Sequence, residues 1–104
     1  MAHHTITLNY GKDGFKPDRD PLPVRKGDTI SFQLGVAPPN SKFNIKMQDP
    51  QLFSVGEVND GHTKVEVRQA ASTKYHCKLL DAGGKVLSES GEKKPGGGIE
   101  PDMT

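Results

Sequence analysis

Pro23-Val24-Arg25-Lys26-Gly27-Asp28-Thr29-Ile30-Ser31-Phe32-Gln33-Leu34 carries the pattern that decides the fold. Gly27-Asp28 turns the backbone, and from Thr29 onward Ile30, Phe32 and Leu34 fall on one face. A two-residue period is that of a half-buried strand. The alternation recurs on both sides. Upstream, Ile6, Leu8 and Tyr10 share a face, ended by the turn Gly11-Lys12-Asp13-Gly14. Downstream, Phe43, Ile45 and Met47 line another, after the loop at Pro38-Pro39-Asn40. Val65 and Val67 follow the turn signal Asn59-Asp60-Gly61. Tyr75, Cys77 and Leu79 then alternate with Lys74, His76 and Lys78, and Lys85-Val86-Leu87-Ser88 ends the series. Phe15 to Pro23 is rich in Pro and Asp, which predicts an edge or crossover segment. Asp49 to Phe53 and Gln69 to Ser72 have room for one helical turn each.

The bulk numbers agree with a small β domain. A chain of 104 residues is one domain with a single core. Twelve Gly and eight Pro favour short strands over long helices. The single Cys excludes an intramolecular disulfide. Fourteen basic and thirteen acidic residues leave a net charge of +1, so bulk charge does not argue for nucleic acid or a lipid surface. Four Phe, two Tyr and no Trp, mostly phased inward, also argue against stacking on single-stranded nucleic acid. No apolar run approaches the ~20 residues of a membrane span. The chain as given predicts a cytoplasmic protein, or a periplasmic one if an export signal has been removed. The strand spacing predicts an all-β fold, a small Greek-key β-sandwich of seven to eight strands.

Phe15-Lys16-Pro17, then Pro23-Val24-Arg25-Lys26-Gly27-Asp28-Thr29-Ile30-Ser31-Phe32, resembles the front half of the cupredoxins, the blue-copper protein family. Lys74-Tyr75-His76-Cys77 looks like that family's Y-x-C strand end. The resemblance covers roughly residues 5–88 and implies a cupredoxin-like domain over residues 1–88. Residues 89–104 are expected to be a flexible Gly/Pro-rich tail. The family also implies a type I copper site, which takes two His, one Cys and a weak axial Met. Cys77 stands at the thiolate position. Asn40-Ser41-Lys42-Phe43-Asn44, where the first His is expected, has none. Lys78 to Leu87, where the remaining ligands are expected, has neither His nor Met. The expectation is therefore a cupredoxin-like module without a type I copper site and without a cofactor, copper being the alternative.

Three residues are candidates for metal chemistry: His3, His4 and Cys77. A free amine, two amides and a His in third place chelate Cu(II) or Ni(II) in a square plane. Met1-Ala2-His3 fits that pattern, as does Ala2-His3-His4 once Met1 is removed. Cys77 shares its phase with Tyr75 and Leu79, which predicts a buried, inert thiol. His76 points to the opposite face and makes a poor partner for a thiol nucleophile. Lys42, Lys46, Lys74, His76 and Lys78 all fall out of phase with the apolar positions. They predict a basic sheet face able to meet a protein partner or other anionic ligand, although Lys on exposed strands also serves as edge protection. The functional expectation is a monomeric, non-catalytic binding or interaction module. Its alternative is a copper-binding or electron-transfer protein with a non-standard site.

Overall fold

The computed structural model describes residues 2–11, 14–59, 61–89 and 97–102, and over these the chain is almost wholly β. In chain order the strands are β1 (His3–Gly11), β2 (Gly14–Pro17), β3 (Leu22–Val24), β4 (Thr29–Leu34) and β5 (Lys42–Met47). A 3-10 turn at Pro50–Leu52 precedes β6 (Glu57–Asn59), β7 (Lys64–Glu66), β8 (Thr73–Leu80), β9 (Val86–Glu89) and β10 (Gly97–Pro101). One sheet runs β2-β1-β4-β7, and the other runs β3-β10-β8-β5-β6 with β9 also paired to β8. Both are mixed sheets, because β1 lies parallel to β4 and β3 lies parallel to β10.

The apolar alternation puts the core between the sheets. Ile6, Leu8, Ile30 and Phe32 face inward from the smaller sheet, while Ile45, Val58, Tyr75 and Cys77 face them from the larger one. The Phe32 and Tyr75 rings meet edge to face across the gap, with centroids 5.2 Å apart. The Pro-rich stretch after β1 crosses from one sheet to the other. Its two short strands, β2 and β3, end up as an edge of each, where a missing N–H costs least. Gly27 makes the following turn at φ 92°, a backbone conformation that a side chain disfavours. The single turn allowed for between Asp49 and Phe53 is the 3-10 turn.

Two expectations are corrected. There are ten strands among the described residues, against seven or eight expected, because β2, β3, β6 and β10 gave little or no alternating signal. Residues 97–101 are also not part of a tail. They form an interior strand, antiparallel to β8 and parallel to β3, with Ile99 only 2% exposed. Two glycines and a terminal proline conceal that strand in the sequence, since neither residue type favours β structure. The rest of the expected tail, 90–96 and 103–104, lies outside the described residues, as do Met1, Lys12, Asp13 and Asp60. Among the described residues, no helix is long and apolar enough to cross a membrane.

Candidate interaction face

The antiparallel pair β5/β8 supplies the centre of the larger sheet's outer surface. Its register sets Asn44 opposite Lys78, Ile45 opposite Cys77 and Lys46 opposite His76. Because successive side chains alternate faces, burying Ile45 and Cys77 brings Lys46, His76, Asn44 and Lys78 together outside. A shallow depression of ≈ 150 Å³ lies among Asn44, Lys46, His76, Cys77, Lys78 and Glu89. Lys42 lies at the start of β5, opposite Leu80, and Lys74 lies on the far side of His76, opposite Gly98 of β10. The five predicted basic residues therefore belong to one contiguous face.

The charge on that face is interleaved rather than uniform. Lys78 Nζ is 3.7 Å from Glu89 Oε1, an exposed pair that contributes little to stability. Asn44 donates its side-chain amide to Glu57. Lys42, Lys46 and Lys74 have no ion pair among the described residues.

Cys77 belongs to the other side of the sheet. It is 1% exposed, and burial alone pushes its thiol up to about 12. His76 points outward from the adjacent position, so strand geometry keeps the two side chains apart. The thiol should resist a maleimide at pH 8 under native conditions and react at once in denaturant. Rapid native labelling would contradict its place in the core.

His3 and His4 lie in the smaller sheet, away from this face. His3 Nδ1 is 2.6 Å from Thr29 Oγ1, and its Nε2 is 3.2 Å from Ser31 Oγ. His4 Nε2 is 2.9 Å from Asp28 Oδ2. The Ala2 amide donates to Asp28 Oδ1 at 2.9 Å. Two atoms that the N-terminal chelate would use, the Ala2 nitrogen and His3 Nδ1, are thus already engaged. Among the described residues, no three His, Cys, Asp or Glu side chains converge to hold a metal ion.

Asp28 is the residue that sequence reasoning undervalued. Read as half of a turn, it is 3% exposed and also accepts the Arg25 amide at 2.9 Å. The Ala2 amide, then His4, hold its carboxyl down to about 2 against the opposing effect of burial. Its role is to fasten the start of β1 to the entrance of β4. No spacing rule links Asp28 to Ala2 and His4 across so much chain; only the parallel pairing of β1 with β4 brings them together. No protein-family model matches this chain, and no curated protein is similar to it.

Proposed function

We propose that this protein is a non-catalytic binding module of cupredoxin-like type, without a type I copper site, that engages an acidic partner protein through the outer face of β5 and β8. The observation that carries this reading is the grouping of Lys42, Lys46, Lys74, His76 and Lys78 on one outer face, where Lys46, His76 and Lys78 line a depression and Lys42, Lys46 and Lys74 make no ion pair among the described residues. A face of this kind steers an anionic partner and sets its register more than it adds raw affinity. The metal-free part of the reading is supported by the placement of Cys77 among apolar side chains, with His76 on the opposite face and His3 and His4 in the other sheet.

A polyglutamate decapeptide is the simplest probe. Titrated at low salt, it should shift the backbone resonances of residues 42–46 and 74–78 and leave those of β2 and β7 unchanged. The double variant Lys46→Glu/Lys74→Glu should weaken that binding at least tenfold, and raising the ionic strength should do the same. Equal affinity in the double variant would remove this face from the function.

A further inference from the structure

The strand β10 occupies a slot with exacting walls. On one side is β8, with Gly97 opposite Tyr75 and Ile99 opposite Thr73. On the other is β3, with Ile99 beside Leu22 and Pro101 beside Val24. Each position of the occupant is read by a different feature. At 97 only glycine fits, because a Cβ there would overlap the Tyr75 hydroxyl, lie 2.5 Å from Cζ and approach Pro17 Cγ at 3.1 Å. At 98 the amide donates to Asp20 Oδ1 at 2.8 Å. At 99 the aliphatic side chain is buried in the core. At 102 the amide donates to the Val24 carbonyl at 2.8 Å, and the carboxylate lies 3.4 Å from Arg25 Nε.

The occupant also brings little side-chain packing of its own for an interior strand. Gly97 and Gly98 bring no side chains to pack and lose much backbone freedom on pairing. Beneath them the Tyr75 hydroxyl is buried and has no hydrogen-bond partner among the described residues. A seated β10 keeps that hydroxyl dry, whereas a departed β10 lets water reach it. The slot is thus selective for this sequence while its occupancy is weakened from within.

We infer that the β3–β8 slot accepts the Gly97–Asp102 strand of a second copy as well as its own, so that the chain can pair by reciprocal strand exchange. The partner is fixed by the slot's own demands: glycine at 97, a free amide at 98, a branched aliphatic residue at 99 and an acidic residue at 102, the series that every copy carries. Main-chain hydrogen bonds on both flanks supply the affinity and the alternate side chains supply the selectivity, as in other strand-addition sites. The tethered strand competes at an effective concentration on the order of millimolar, so exchange becomes visible when chains fold at that concentration. This inference does not depend on the basic face.

The wild-type chain should be refolded at about 1 mM and at about 1 μM, the two sides of that tether concentration, and its mass read by light scattering after size exclusion. Dimer from the concentrated sample and monomer from the dilute one are expected. A synthetic peptide of residues 95–104, present in excess during concentrated refolding, should suppress the dimer. The same peptide with Gly97→Val should not. Monomer at both concentrations would overturn the inference, and so would a dimer indifferent to the wild-type peptide. In the monomer, the Ile99 amide should exchange with solvent about a hundredfold faster than that of Ile45, through local opening of β10. Equal rates would show that β10 leaves only with global unfolding and would also overturn it.

Discussion

Replacing Asp28 with alanine is expected to destabilise the fold by about 2–4 kcal/mol, because it strands two backbone amides and a histidine that a buried carboxylate now serves. The effect should depend on pH in a defined direction. The carboxyl lies near 2 in the folded protein, below its ordinary 3.8. As pH falls, the unfolded chain therefore takes up a proton before the folded one. Stability contributed by the charged form is fully present above about pH 4 and is lost as the pH approaches 2. Allowing for solvent screening, it amounts to about 1–2 kcal/mol. Asp28→Asn isolates this contribution, since it keeps an acceptor oxygen and removes the charge. Urea midpoints at pH 6 and pH 2 should show the gap between wild type and Asp28→Asn narrowing at the lower pH. A constant gap would mean that the carboxylate's charge is irrelevant to the latch.

A second large effect is expected where β10 crosses Tyr75. Gly97→Ala puts a methyl group into the space of the buried phenol, and overpacking of this kind costs about 1–3 kcal/mol. The ring has little freedom to retreat, being fully buried and packed edge to face on Phe32. Tyr75→Phe should act in the opposite sense. It removes a buried hydroxyl that has no partner among the described residues, and relieving such a group is worth about 1–3 kcal/mol. The two sites touch, so their effects should not add. Gly97→Ala should cost less in the Tyr75→Phe background than in the wild type, a difference readable from denaturation midpoints in a double-mutant cycle. Additive effects would show that the hydroxyl is not what excludes a side chain at 97.

The legible part of this chain was what local periodicity encodes. Ile30 and Phe32 announced β4, Phe43 to Met47 announced β5, and Tyr75 to Leu79 announced β8, because each is buried on one face and wet on the other. The outward phase of Lys42, Lys46, Lys74, His76 and Lys78 was legible in the same way, but that they share one surface came only from the pairing of β5 with β8. What stayed hidden was set by long-range pairing. Ile99 alone signalled burial in β10, between glycines whose value lies in the side chain they lack. Asp28 looked like half of a turn until β1 came alongside β4. Tyr75 could be placed in the core, but nothing in its neighbours foretold that its hydroxyl would lie beneath a glycine strand.

The position of β10 also bears on the order in which the sheet is assembled during synthesis. Its neighbour β3 has no other strand partner among the described residues, and Gly98 is held by an aspartate 78 residues earlier. At translation rates of about 5–20 residues per second, that interval corresponds to roughly 4–16 s. Throughout it, β3 has been made but has no strand to pair against, and one flank of β8 waits likewise once it has formed. Contacts between such distant segments form slowly because the loop closure precedes its reward. The nascent domain therefore passes through a stage in which its larger sheet is divided in two, and the strand that joins the halves is made after both.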